Sequence, residues 1–252
     1  MSDILLRINN VKKQYHQRNH KTVNALSGVT FDIKTGEIFG LLGVNGAGKS
    51  TLSSIVATLH PATEGDILFQ GTSIYSNLIN YRLQLGFCPQ KPNLDPTLSL
   101  GDNLRFSGRL FGMAEDAIEQ RLVTLSQQFG LTDYLDQTAS VLSGGYRQRF
   151  MIARSIMHNP KLVLLDEPTV GLDPHIRRQL WGLIKELKTQ GVTIILTTHY
   201  LDEAEHLADR VCILDSGLVR LIDKPENLLT DFKKKNLEDV FLTLMQETKE
   251  SL

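Results

Sequence analysis

Cysteine is scarce in this chain. The 252 residues include two, Cys88 and Cys212, far apart in apolar surroundings and outside any CxxC or Cys/His pairing. A disulfide framework or a structural zinc site has no basis there, and two buried thiols are the expectation. Neither sign of charge is in excess: 27 Lys+Arg stand against 28 Asp+Glu, the net charge is −1 and the pI is about 6.7. No global basic field advertises nucleic acid as a partner. Long apolar runs are missing too, and none approaches the ~20 residues that span a bilayer. The N-terminal MSDILLRINN lacks a basic segment followed by an apolar stretch, so no signal peptide is read there. If the protein works at a membrane, another chain does the spanning. Internal repeats and low-complexity linkers are not seen. What is present, 41% hydrophobic and 22% charged residues, is an ordinary globular profile for one large domain, or a domain with a subdomain.

The first third reads as strands and turns, in ILLRINNVKKQY and VTFDIKTGEIFGLLG. KSTLSSIVATLH reads as a helix ended by Pro61, and GDILFQG as a short strand. From Pro92 to His158 the apolar residues fall three and four apart, predicting helices over LSLGDNLRFSGRLFG, AEDAIEQRLVTLSQQFG and YRQRFMIARSIMH. Strand and helix then alternate through KLVLLD, HIRRQLWGLIKELKTQG, VTIILTTH and YLDEAEHLADRV. Near-continuous apolar strands between helices predict a parallel sheet covered on both faces, with the helical middle as an inserted subdomain. The last thirty residues predict a terminal helix.

EIFGLLGVNGAGKST runs strand, glycine-rich turn, helix, and Gly43, Gly48, Lys49 and Ser50 fit G-x-x-x-x-G-K-[ST]. Glycines let backbone N–H groups turn inward around an anion, and the helix N-terminus adds its positive field. Lys49 can reach β- and γ-phosphates, and the Ser50 hydroxyl can ligate Mg²⁺. A flexible turn without a ligand is the plain alternative. KLVLLDEP sets Asp166 and Glu167 at the carboxyl end of a strand, where ligands of parallel sheets collect. Asp166 would face the Mg²⁺ and Glu167 could polarise an attacking water as general base. Exposed loop carboxylates are the alternative, which the upstream phosphate loop disfavours. Gln90 closes LGFCPQ and His199 closes VTIILTTH. The first could offer its carbonyl to Mg²⁺ and its amide to water, the second a proton to a γ-phosphate oxygen. LSGGYRQR, Leu142–Arg149, looks like a second phosphate turn in a chain that already has one.

The order GVNGAGKST, Gln90, LSGGYRQR, LVLLDEP, Gly171–Asp173 and His199 resembles the ATP-binding-cassette (ABC) ATPase family over essentially the whole chain. The resemblance implies an α/β fold: a P-loop NTPase core with a parallel sheet, an N-terminal antiparallel β portion and an inserted helical subdomain. It places the ATP-binding core at 1–90 and 160–222, the helical signature subdomain at 91–159, and a C-terminal helical extension at 223–252. It implies ATP and Mg²⁺ as cofactors and two cassettes closing head to tail, each ATP lying between one P-loop and the other cassette's signature. On that pattern Gly43, Asn45, Gly46, Ala47, Gly48, Lys49, Ser50 and Thr51 bind phosphates. Ser143, Gly144 and Gly145 reach the partner's γ-phosphate. Asp173 couples the two sites, and Ser50, Gln90 and Asp166 serve the metal. Glu167, His199 and Gln90 carry the catalysis. Tyr15 matches the aromatic that stacks on adenine. Tyr146 departs from the LSGGQ form of the signature, so contacts made by that glutamine do not carry over.

EPTVGLDP, TTHYLDEAEHLADRV and LEDVFLTL resemble cassettes of ABC-2-type exporters. That implies a polytopic membrane permease as partner and a peripheral place at the cytoplasmic face of the membrane. Both half-sites look intact, so an identical second cassette suffices. A soluble ABC ATPase with a non-transport role is the alternative, and a kinase or GTPase leaves LSGGYRQR and His199 unexplained. Leu237, Val240, Phe241 and Leu244 have helical spacing and are expected to pack back on the core. Lys233–Lys235 reads as a solvated run, with attraction to anionic headgroups as the sharper alternative. Among Leu98, Leu100, Leu104, Phe106, Leu110 and Phe111 most are expected in the core, and a few to form a groove for a permease helix.

Overall fold

The computed structural model describes residues 3–16 and 22–250. Along the chain run β1 (Ile4–His16), β2 (Thr22–Lys34), β3 (Ile38–Leu42), α1 (Lys49–Val56), β4 (Glu64–Phe69), β5 (Thr72–Ser73), α2 (Leu78–Arg82) and β6 (Leu85–Cys88). Next come α3 (Leu100–Leu110), α4 (Glu115–Gln128), α5 (Gly144–Ser155), β7 (Leu162–Asp166) and α6 (Pro174–Thr189). The chain continues through β8 (Thr193–Thr197), α7 (Leu201–Leu207), β9 (Arg210–Asp215), β10 (Leu218–Asp223), α8 (Pro225–Asp231) and α9 (Leu237–Glu250). Two compact units result: Met1–Ser76 with Thr193–Leu252, and Asn77–Val192.

The first unit holds an antiparallel sheet ordered β2-β1-β4-β5. Leu6, Ile8 and Val11 on β1 and Val29 and Ile33 on β2 are fully buried, the alternation expected of a sheet with one wet face. The β1–β2 register shifts between Ile8 and Val11, where Asn10 takes φ 48°, the signature of a bulge. In the unit's other sheet, β3 lies between β8 and β9 and is parallel to both. Flanked on both sides, IFGLL is buried throughout. At its start Glu37 is buried and takes Arg210 Nη1 at 3.1 Å and Lys34 N at 2.7 Å. Cys212 on β9 is fully buried, which pushes its thiol pKa up to about 12.

The expected terminal helix is two helices. Lys233 at φ 52° turns the chain between α8 and α9, and Lys233–Lys235 are exposed. Leu237 and Val240 then join Leu42, Val211, Ile213 and Leu228 in a buried cluster, with Phe241 and Leu244 packed on its margin. The helix expected over YLDEAEHLADRV stops at Leu207, because Arg210 onward pairs with β3 instead. A strand neighbour outweighs a continuing helical period. The helix expected over KSTLSSIVATLH likewise ends at Val56, four residues before His60.

In the second unit β6 and β7 pair in parallel, Leu85 opposite Leu162 through Cys88 opposite Leu165. Helices α3 to α5 bury Leu104, Ile118, Leu122, Leu125, Phe150 and Ile152. Ser99 caps α3, accepting from Asp102 N at 3.0 Å and donating to Asp102 Oδ2 at 2.7 Å. Exposed pairs Arg105–Glu119 and Arg109–Glu115, both 2.7 Å, join α3 to α4. The apolar residues in and around α3 divide sharply: Leu100 and Leu104 are fully buried, whereas Phe106 and Leu110 are 56% and 69% exposed.

His158 stacks flat on Phe111, ring centres 3.6 Å apart, with Nε2 3.0 Å from Leu85 O. A carbonyl only accepts, so Nε2 carries the proton and Nδ1 is a buried acceptor with no partner among the described residues. Burial, with Arg121 nearby, lowers the His158 pKa to about 4. Unfolded, this side chain takes a proton below its ordinary 6.5; folded, it refuses one until about pH 4. Its contribution to stability is therefore intact above pH 6.5 and is lost as pH falls toward 4. We expect wild-type folding free energy to fall between pH 7 and 4.5 by about 2–3 kcal/mol more than in His158→Gln. Urea unfolding at the two pH values measures this, and equal losses would remove His158 as the cause.

Candidate functional site

In the first unit β3 runs directly into the loop Gly43–Gly48 and then α1. Ala47 N closes the loop on Val44 O at 3.1 Å, and Gly217 N pins it from outside through Ala47 O at 3.0 Å. Gly48 sits at φ 107°, and a Cβ there would lie 2.7 Å from Ala25 O, so only glycine fits. Lys49 is nearly buried, and its Nζ donates to Gly43 O at 2.6 Å and Val44 O at 3.2 Å. The ammonium is thereby folded back over the loop. Helix α1 has no acidic residue in its first turn and no side-chain cap, so its N-terminal field is left for an external anion. Val44, Asn45, Gly46 and Ser50 are exposed.

Thr198 N donates to Leu41 O at 3.4 Å, which brings the chain after β8 to the strand end from which Gly43 departs. His199 is the next residue, exposed and tilted against Tyr200 with ring centres 4.3 Å apart. Tyr15 stands on β1 opposite Val23, 39% exposed, with Lys13 Nζ 5.3 Å from its ring centre.

The second unit carries the carboxylates. Strand β7 delivers Asp166 at its carboxyl end, and Glu167 follows at φ 50°. A left-handed glutamate is uncommon and marks a sharp exit from the strand. Gln90 Nε2 donates to Glu167 Oε2 at 2.7 Å. An ionised carboxylate only accepts, so the amide nitrogen faces it and the Gln90 carbonyl oxygen remains for another ligand.

Ser143 caps α5, its hydroxyl accepting from Tyr146 N at a long 3.5 Å. A Cβ on Gly145 would meet Ile176 Cγ2 at 2.6 Å, so the start of α5 lies tight on α6. Arg149 Nη2 donates to Gln179 Oε1 at 2.5 Å across the same two helices. Asp173, exposed, is the N-cap of α6 with Pro174 after it. Ser143, Gly145 and Asp173 therefore stand on one helix pair. Tyr146 turns inward on this unit: its ring is 4.8 Å from that of Tyr134, and the Arg149 guanidinium is 5.2 Å from its centre. Two further contacts have no signal in the residue pattern: Gln148 Nε2 to Cys88 Sγ at 3.6 Å and Arg154 Nη1 to Asn93 at 2.8 Å.

Comparison with known proteins agrees with this arrangement. A family model described as ABC transporter matches residues 26–170. A linearmycin resistance ATP-binding protein of Bacillus subtilis is 38% identical over 213 residues, 84% of this chain and 67% of its own length. A Nod factor export ATP-binding protein of Bradyrhizobium diazoefficiens is 36% identical over 241 residues, 96% of this chain and 77% of its own. Among solved structures, a dimeric cassette in a post-hydrolysis state bound to ADP and Pi superposes with a TM-score of 0.79. It is 28% identical and the match covers 87% of this chain and 98% of that one.

Proposed function

The chain belongs to the ABC transporter ATP-binding family and is an ATPase, and from that premise we propose that it powers an exporter through its own Glu167, Gln90 and His199. The observation that carries the catalytic assignment is the 2.7 Å bond from Gln90 to Glu167. It sets the carboxylate at the strand end beside the amide proposed to orient the attacking water. In this reading the loop Gly43–Thr51 binds the ATP phosphates, Lys49 supplies positive charge to them, and Tyr15 stacks on the base. His199 donates to the γ-phosphate, while Gln90 and Glu167 orient and deprotonate the attacking water.

Among the described residues no group of three or more His, Cys, Asp or Glu could form a metal cage. Mg²⁺ needs none, because it is held by one or two protein oxygens together with phosphates and water. In this reading the Ser50 hydroxyl, the Gln90 carbonyl and the Asp166 carboxylate are the hard oxygen donors that would hold it. Bound there, Mg²⁺ would neutralise β- and γ-phosphate charge.

ABC cassettes dimerise and work with membrane permease components. For this chain we assign a second identical cassette, with Ser143, Gly144, Gly145 and Asp173 serving the partner's ATP. No helix of the described residues is long and apolar enough to cross a membrane. We assign the membrane passage to a permease partner, with this chain at its cytoplasmic face. The likeness to a Nod factor export ATP-binding protein supports export, and exposed Phe106 and Leu110 are candidates for the permease contact. Co-purification with a polytopic membrane protein tests it; a chain that hydrolyses ATP but retains no such partner favours a non-transport role.

Ser143→Ala is expected to lower hydrolysis by about tenfold or more while ATP affinity of the isolated chain stays within about twofold. The cap that is lost is a 3.5 Å contact, so the melting temperature should barely move. Loss of ATP binding by the monomer would contradict a role in the partner's site.

A further inference from the structure

We propose that Arg154 is a positioning residue for hydrolysis: through Asn93 it holds the segment that presents the Gln90 amide to Glu167. The proposal rests on the roles assigned above to Gln90 and Glu167. Strand β6 ends at Cys88, and four residues, Pro89–Pro92, separate it from Asn93. Helix α5 grips both ends of that span. Gln148 Nε2 donates to Cys88 Sγ at 3.6 Å, and Arg154 Nη1 donates to Asn93 O and to Asn93 Oδ1, each at 2.8 Å. Two of the four residues between the anchors are prolines, whose φ is fixed. Gln90 is the second of the four, with its Nε2 2.7 Å from Glu167 Oε2.

The gripping helix is itself fixed. A Cβ on Gly86 would collide with Ser155 O, so β6 and α5 touch backbone to backbone. Beyond Asn93 the chain is tied independently to α3. Asp95 N donates to Asn103 Oδ1 at 3.1 Å, and Asn103 Nδ2 returns to Asp95 O at 3.0 Å. Arg154 is half-buried and directs its guanidinium to neutral oxygens of one residue. A charge taken out of water this way is a poor source of stability. What the arginine supplies is two oxygens held at one point. Ser143 caps the same helix, so the signature end and the Gln90 segment share one rigid element.

The test is steady-state Mg-ATP hydrolysis by the purified full chain. Arg154→Met should lower kcat about tenfold with KM for ATP within about twofold, because positioning is lost and binding is not. Asn93→Ala keeps the backbone oxygen and should lower kcat about threefold. In a Gln90→Ala background, Arg154→Met should lower kcat no more than about twofold further, since the group it positions is gone. A purely structural arginine would not show that non-additivity. Wild-type kcat in folded Arg154→Met, or losses that multiply in the double variant, overturns the proposal. If Arg154→Met does not fold, Asn93→Ala decides: a threefold loss supports the proposal and wild-type kcat ends it. Wild-type kcat in Gln90→Ala alone removes the role given to Gln90, and that single variant tells the two failures apart.

Discussion

Glu167→Gln is expected to lower ATP turnover by about 10²–10⁴-fold, the share a positioned general base supplies, while ATP stays bound. The substitution is clean in this chain for a geometric reason. The Gln90 amide donates to a single oxygen of Glu167, and a carboxamide oxygen can accept the same bond. Gln90 therefore keeps its place when the basic group is lost. ATP that is bound but not cleaved should hold two cassettes together. Single-turnover hydrolysis and light scattering with saturating Mg-ATP read the two effects. A variant that hydrolyses at the wild-type rate and stays monomeric would remove Glu167 from the role of base.

Lys49→Ala should act at the other end of the sequence of events, on affinity. Lys49 is 6% exposed, and its ammonium is folded over the loop by Gly43 O and Val44 O. Charge-assisted contacts of this kind contribute about 2–3 kcal/mol each, so nucleotide affinity should fall roughly 30- to 150-fold. Titration calorimetry with ATP measures it, and an unchanged Kd would mean that Lys49 does not reach the phosphates. Between them the two variants separate binding from chemistry: one loses the nucleotide, the other keeps it too long.

The phosphate loop was legible in the sequence because everything it needs is contiguous. A buried strand, glycines that turn the chain and a helix start occupy Ile38 to Val56 without a break. Gln90, Asp166 and His199 were singled out by a weaker rule, that ligands bind beyond the carboxyl ends of strands, and each lies at or just past a strand end. The bond between Gln90 and Glu167 was not, since it joins residues 77 positions apart. The grip of Arg154 on Asn93 was still less so. It depends on α5 lying against β6, which Gly86 and Ser155 O allow and no periodicity announces. Helix ends failed where a partner decided them. Arg210 and Val211 continue a helical pattern but are claimed by β3, and Lys233 breaks what composition reads as one C-terminal helix. Tyr146 shows the opposite case: the motif flagged it as a departure, and only the packing on Tyr134 shows where its ring goes.

The two native thiols have a practical consequence. Maleimides react with thiolates at exposed sites, and Cys88 and Cys212 are both buried with pKa values pushed up to about 12. Neither should take a label at neutral pH, so there is no need to replace them first. One cysteine placed on the surface, for example at exposed Val141 beside the signature, would carry a dye or spin label alone. The sequence is thus ready for spectroscopy that tests whether two copies of the chain approach when ATP binds.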